Sequence, residues 1–411
     1  MKYTTKALHT KYPKSDIYGA LRIPIYQNAA FEYGTSQELE DVFTGKIAGH
    51  TYSRATNPTI EELENKIKSI TSSLGVVATS SGMSAISNTL FALLKSGDNI
   101  ITTNKLFGHT LSFFQNTLVD FGIDVRYVDI NSTESIKNSI DEKTKVIFFE
   151  TISNPELIIP DIKAITALAK ERNIVSVVDT TMSPFYIFDS KKYGVDIDVI
   201  SATKYISGGG TAVGGLIIDN GNYDWSKYPN IEKFYTKFGA NAFISKLKKQ
   251  TFRNIGSCLS PQNAYLLSLG LETLALRADR TKDNTKDVAY FLLDHPKVKS
   301  VNYPLLKTNP YYDRAKEYFL FPSSILTFDL EDKQSAYEFM DKLSLVRRST
   351  NIQDNKSLII APYHTIYSEY SDEQKSSFGL RSGTLRLSVG IEDSEDLIED
   401  LRQALEVIWK K

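Results

Sequence analysis

From about residue 60 to residue 220 the chain alternates short apolar runs with longer amphipathic ones. The apolar runs predict strands over 76–79, 99–102, 124–129, 146–150, 174–179, 199–201 and 215–218. Helices are predicted between them over 84–94, 108–121, 133–140 and 161–172. Several strand runs are apolar throughout, which suits a sheet covered on both faces. Strand–helix alternation implies right-handed crossovers and a mainly parallel sheet. A further helix is predicted over 59–70, after Asn57-Pro58, with Thr59 three positions before Glu62 in capping-box spacing. From about 255 a helical stretch continues to 294, where His295-Pro296 stops it. A smaller α/β unit follows, with strands over 324–329, 358–361 and 384–389 and a helix over 334–343. The last helix places Leu397, Ile398, Leu401, Leu405 and Ile408 on one apolar face.

Two stretches break this rhythm. Residues 1–56 carry no clear regular pattern and read as an arm reaching a neighbouring subunit. Segment 221–250 is aromatic and basic, with Trp225, Tyr228, Phe234 and Lys246 among its residues; it reads equally as an insertion over a site or as a surface meander. The expected division is an arm (1–56), a large domain (57–255) and a linking helix with a C-terminal α/β domain (256–411).

Composition narrows the function classes. The 411 residues carry 48 Lys and Arg against 49 Asp and Glu, a balance that gives no electrostatic case for nucleic acid or an anionic membrane. The single cysteine, Cys258, excludes an intramolecular disulfide and fits a reducing compartment. With no apolar leader and no run of about 20 apolar residues, the expected location is the cytoplasm. The five histidines show no ligand-like spacing, so no metal is expected.

The chemistry-bearing residues stand where strands end. Lys204 lies in Ser201-Ala202-Thr203-Lys204, directly after the apolar run 197–200. A lysine there is costly to bury as a cation. One way to offset the cost is a covalent bond to an aldehyde cofactor. Asp179 closes the run 174–178 and could hold a proton on a pyridine ring. Together they point to pyridoxal 5'-phosphate. Ser80-Ser81-Gly82-Met83 joins a strand to a helix, the setting of an anion cradle and equally of an ordinary capped turn. Ser201 and Thr203 add hydroxyls beside the lysine. Arg54, next but one to Tyr52, could clamp a phosphate or sit in a solvated loop. Asn154 follows the end of another strand, as a donor to a phenolate or a carboxylate or as a turn former before Pro155. Arg386, inside an apolar strand, needs a buried anion, either a substrate carboxylate or an internal acid.

The set Tyr52-Ser53-Arg54 with Asn57-Pro58-Thr59, Ser80–Met83, Glu150-Thr151 with Asn154-Pro155, Val178-Asp179 with Thr181, Ser201–Lys204 and Arg386–Glu392 resembles the Cys/Met-metabolism family of pyridoxal-phosphate enzymes. The motifs stand in the family's order and cover nearly the whole chain. The resemblance implies an α/β fold-type I transferase, with a large, mainly parallel mixed-sheet domain and a smaller C-terminal α/β domain. It implies that Lys204 carries the cofactor and shuttles protons, and that Asp179 keeps the pyridine nitrogen protonated. Ser81, Gly82, Met83, Ser201 and Thr203 would bind the phosphate, completed by Tyr52 and Arg54 from a neighbouring subunit of a homo-oligomer. Asn154, Ser357 and Arg386 would hold the ring hydroxyl and the substrate carboxylate.

Within the family, the insertion at 221–250, Leu259–Ala264, Gly270–Leu274 and Asn302-Tyr303-Pro304 are most similar to O-acetylhomoserine sulfhydrylases. The implied reaction is γ-replacement on O-acetylhomoserine by sulfide, a thiol or protein-borne sulfur, giving homocysteine and acetate. Methionine γ-lyase and cystathionine γ-lyase or γ-synthase are the alternatives. Two departures stand out. Leu106-Phe107-Gly108-His109 replaces the usual Leu-Tyr-Gly-Gly, so Phe107 can stack on the ring but brings no hydroxyl. Ala361-Pro362-Tyr363-His364 replaces the usual His-Pro-Ala-Ser. His109 and His364 are expected near the site.

Overall fold

The continuous apolar runs become strands buried on both faces. The computed structural model describes residues 1–10 and 16–407. The larger sheet contains β1 (Gly75–Thr79), β2 (Asn99–Thr102), β3 (Asp124–Tyr127), β4 (Thr144–Glu150), β5 (Val175–Asp179), β6 (Ile197–Ser201) and β7 (Gly215–Asp219). Their order is β1-β7-β6-β5-β4-β2-β3. Strands β3, β2, β4, β5 and β6 pair in parallel, while β7 is antiparallel to both β6 and β1. Successive side chains of an extended chain point to opposite faces. Accordingly Ile147 and Phe149 of β4 enter one buried cluster, and Val146 and Phe148 enter the other. The predicted strands keep their places, with ends moved by one or two residues.

The smaller sheet contains β8 (Ser300–Asn302), β9 (Ile325–Asp329), β10 (Arg347–Arg348), β11 (Leu358–Ile360) and β12 (Thr384–Ser388), in the order β10-β11-β12-β9-β8. Phe328, Leu385 and Leu387 pack there with Phe339 of helix Lys333–Lys342 and Leu401 of helix Ser394–Val407. The 34-residue helix Pro261–Asp294 serves both sheets. Leu267, Leu271 and Leu274 join a core layer of the larger sheet, whereas Val288 and Leu292 join that of the smaller one. The helix begins at Pro261 because Ser260 caps it, its hydroxyl accepting from Asn263 N.

Several expectations are corrected. The arm is not without regular structure: it holds helices Tyr3–His9 and Ser36–Thr44, the second with a Thr35/Glu38 capping box. The next helix runs Pro58–Thr71 and is capped by Asn57, whose side chain accepts from Thr59 N. The Thr59/Glu62 box is pre-empted, because Thr59 Oγ1 donates to Pro24 O and Glu62 pairs with Lys66. The helix over 108–121 is divided into an α turn (Gly108–Ser112), a π turn (Phe113–Leu118) and a 3-10 turn (Val119–Phe121). The wide middle turn leaves both Phe114 and Leu118 in the core. Segment 221–250 does not roof a site: Trp225, Tyr228, Phe243 and Leu247 are built into a core layer of the larger sheet, with Trp225 stacked on Phe243 at 5.1 Å. In the last helix Leu397, Leu401 and Leu405 are buried as expected, and Ile408 lies outside the described residues.

Candidate active site

Strands β4, β5 and β6 end at the same edge of the larger sheet with Glu150, Asp179 and Ser201. In open α/β sheets this carboxyl edge is where ligands bind. A cavity of about 510 Å³ lies there, lined by Glu150, Asp179 and Ser201 and by residues from both sheets. Ser81, Gly82, Met83, Phe107, Asn154, Thr203, Lys204 and Arg386 all face it.

One wall is the start of helix Gly82–Leu93. Ser81 Oγ caps it by accepting from Ser84 N at 3.1 Å. The first N–H groups of a helix lack intrahelical acceptors and favour anions. A side chain at position 82 would place its Cβ 2.7 Å from Ser201 Cβ, so only glycine lets the helix start meet β6 so closely. The cradle therefore has backbone donors on one side and the Ser201 and Thr203 segment on the other.

Lys204 stands in the turn after β6, and Nζ donates to Asn351 Oδ1 at 2.7 Å. Burial, aided by the charge of Arg386 and opposed by Asp354, lowers its amine to about 8. A substantial neutral fraction near pH 7–8 gives the amine nucleophilic character.

Glu150 and Asp179 are register partners on adjacent parallel strands. Glu150 Oε1 accepts from Phe107 N at 2.6 Å, and Asp179 Oδ1 accepts from Thr181 N at 2.9 Å. Burial pushes both carboxyls up, and the neighbouring Asp179 adds to the shift at Glu150. Only Thr181 opposes the shift at Asp179. A cationic ring nitrogen in the cavity would supply the charge that this carboxylate lacks.

Arg386 lies on β12 and is 2% exposed. Nη1 donates to Asn154 Oδ1 at 3.1 Å and Nη2 to Thr350 O at 3.0 Å, while buried Nε has no partner. Burial lowers the group to about 10, so it stays charged at neutral pH. Its partners are a neutral amide and a carbonyl, which excludes the internal ion pair considered from the sequence. A buried guanidinium with an unused donor needs an anion. The anion cradle, the amine, the unpaired carboxylate and this guanidinium together fit pyridoxal 5'-phosphate with an amino-acid ligand.

Some predicted residues lie elsewhere. Ser357 is a correction: its hydroxyl donates to Glu392 Oε2 and accepts from Gly390 N, both at 2.9 Å, so it braces the β11–β12 side and does not line the cavity. Tyr52 and Arg54 are exposed and outside this chain's own cavity, and Arg54 Nη1 donates to Arg253 O. His109 reaches the cavity, its ring edge-on to Phe107 at 5.2 Å. His364 does not; Nε2 lies 2.9 Å from Ser382 O. Glu150, Thr181, Thr350 and Asn351 were not assigned site roles from the sequence. Glu150 carried a signal, as an acid closing an apolar strand, and Thr181 stood in the motif with Asp179; Thr350 and Asn351 carried none.

Residues 4–406 match the family model described as Cys/Met metabolism PLP-dependent enzyme. The chain belongs to that family. Its cofactor is thus pyridoxal 5'-phosphate, and the fold is that of the fold-type I enzymes. A provisionally named O-acetylhomoserine (thiol)-lyase from Campylobacter jejuni, solved with N'-pyridoxyl-lysine-5'-monophosphate, is similar at TM-score 0.92 and 37% identity, covering 99% of this chain and 100% of that one. O-Acetylhomoserine sulfhydrylase of Wolinella succinogenes, solved in a study of sulfur transfer in methionine biosynthesis, is 49% identical with TM-score 0.79, covering 86% of this chain and 98% of that one. L-Methionine gamma-lyase of Fusobacterium nucleatum is 36% identical, covering 98% of each chain. Among the described residues no group of three His, Cys, Asp or Glu could hold a metal, and no helix is long and apolar enough to cross a membrane.

Proposed function

We propose that this member of the family replaces the acetyl ester of O-acetylhomoserine with sulfur, releasing acetate and homocysteine. The carrying observation is the pairing of two basic groups of different strength, the half-buried Lys204 amine and the buried Arg386 guanidinium, in one cavity. Bound pyridoxal 5'-phosphate supplies the electron sink that acidifies the substrate Cα–H. Lys204 would hold the cofactor through its aldehyde, and its amine, lowered to about 8, would take the proton from the substrate Cα and return protons to the substrate's carbons. Arg386 grips the α-carboxylate through Nε and an Nη, with Asn154 beside it. Asp179 would keep the ring nitrogen protonated, and Phe107 would offer a ring to pack on the cofactor. Ser81, the Gly82 and Met83 N–H groups, Ser201 and Thr203 would hold the phosphate. At Cγ the C–O bond to acetate breaks and a C–S bond to the donor forms.

Tyr52 and Arg54 complete the phosphate site of a second copy of the chain. Their distance from their own cavity supports this, as do the exposed Ile17, Tyr18, Leu21 and Phe43 on the same arm. The single cysteine supports a cytoplasmic location. L-Methionine gamma-lyase is the second reading, favoured by the Fusobacterium relative and opposed by Phe107, which brings no hydroxyl to the elimination.

The test offers purified enzyme O-acetylhomoserine, O-succinylhomoserine, cystathionine and methionine, each with and without sulfide. Sulfide-dependent homocysteine from the acetyl ester is expected. Sulfide-independent α-ketobutyrate from methionine alone would replace this reading with the lyase.

A further inference from the structure

The loop between β10 and β11 carries an amide to the cavity lysine. Asn351 Oδ1 accepts from Lys204 Nζ at 2.7 Å, and Asn351 Nδ2 donates to Asp354 Oδ2 at 3.0 Å. The other oxygen, Asp354 Oδ1, accepts from Lys356 N at 3.1 Å. The loop is fastened on several sides. Gln353 N donates to Ser388 Oγ and Gln353 Nε2 to Met182 O, each at 2.7 Å. Ile391 N donates to Asn355 O at 3.0 Å. The glycine tract behind Lys204 presses on the same loop: a Cβ at Gly210 would stand 2.9 Å from Asn351 Nδ2 and 3.0 Å from Asp354 Oδ2.

We propose that Asn351 is a positioning residue, the fixed resting place of the Lys204 amine whenever that amine is not bonded to the cofactor. The inference rests on the role given to Lys204 above. An amide oxygen accepts an N–H from the amine whether the amine is neutral or charged. That contact restricts rotation about Cε–Nζ, so the lone pair and any carried proton keep one direction relative to β6. Asp354 acts through the amide. By accepting Nδ2–H it polarises the Asn351 carbonyl and strengthens its hold. Its charge also opposes the downward push of burial and Arg386 on the amine. Glu150, Asp179 and His109 are the other titratable groups lining the cavity. One amide from the smaller sheet thus sets the geometry of a proton carrier on the larger.

Asn351→Ala is expected to lower kcat about ten- to a hundredfold while KM stays within about twofold, as for a misplaced reacting group. Asp354→Asn keeps the amide but removes the charge, so the acidic limb of kcat should move down by up to about one pH unit. A second readout needs no turnover. In the cofactor-stripped chain, labelling of Lys204 by trinitrobenzenesulfonate is followed by peptide mass across a pH series. The labelling midpoint should fall in Asp354→Asn, and labelling at fixed pH should be faster in Asn351→Ala. Wild-type kcat and labelling in Asn351→Ala would overturn the proposal. If Asn351→Ala fails to fold, the limb and midpoint in Asp354→Asn decide, and no shift in either overturns it. Lys204→Ala separates the two levels. Retained turnover there defeats the role of Lys204 itself, whereas loss of turnover beside a wild-type Asn351→Ala defeats only this inference.

Discussion

The larger sheet buries carboxyl groups at both of its ends and uses them differently. At the cavity end stand Glu150 and Asp179; at the other, where β6 begins and antiparallel β7 finishes, stand Asp196, Asp198 and Asp219. Burial raises all five, with Asp196 reaching about 6 and Asp198 and Asp219 about 7. At the far end the structure itself supplies the donors. Ser176 N and Oγ bond Asp196 at 2.8 Å, Asn220 Nδ2 bonds Asp198 at 3.1 Å, and Gly221 N and Trp225 Nε1 bond Asp219 at 2.9 and 3.1 Å. At the cavity end the carboxyls share about 510 Å³ with Lys204 and Arg386. A displaced pKa therefore marks a working site only where there is room for a ligand and a second charge to meet it.

The contrast can be broken most forcefully at Asp179. Asp179→Asn is expected to lower kcat about a hundredfold or more, while Asp219→Asn stays within about threefold. Equal losses in the two would erase the difference between the ends. Arg386→Ala should raise KM for amino-acid substrates at least about tenfold, because a buried charged clamp is lost. An unchanged KM would make Arg386 as structural as the far-end acids.

The smallest effect sharpens the far end. The folded-state value of Asp198, about 7, lies above its usual 3.8, so the folded chain binds more protons between those values. Stability from this group is therefore highest at low pH and falls as pH rises through that window. Asp198→Asn should raise stability at pH 8 by on the order of 1 kcal/mol and leave it unchanged near pH 4, measured by urea unfolding. Equal stabilisation at both pH values would show that the charge is not what costs stability there.

Much of this was legible in the sequence for one reason: charges inside apolar strands are rare and conspicuous. Asp179 and Arg386 stood out that way and Lys204 as a charge directly after such a run, and the structure brings all three to one cavity; the uninterrupted apolar runs foretold a sheet buried on both faces. Ser357 shows the limit. A hydroxyl among apolar residues has no visible direction, and the structure spends it on Glu392 and Gly390 N. Asn351 was invisible, because its contact with Lys204 spans 147 positions. Segment 221–250 misled because its aromatic and basic surface reads like a cover, whereas Trp225 and Phe243 are core. The Thr59 box failed because Asn57, two residues earlier, is already the cap.

The helix Pro261–Asp294 passes so close behind the lysine-bearing turn that a methyl group on Gly270 would lie 2.0 Å from Ile206 O. At about 1.5 Å per residue it is a beam of roughly 50 Å, packed against the turn along its first half, at Gly270 and Arg277, and against the smaller sheet's core along its second. A tilt of the smaller sheet that carried this beam would tug on the backbone next to Lys204. Any motion of one sheet against the other must therefore bend elsewhere, or else register directly at the Lys204 backbone.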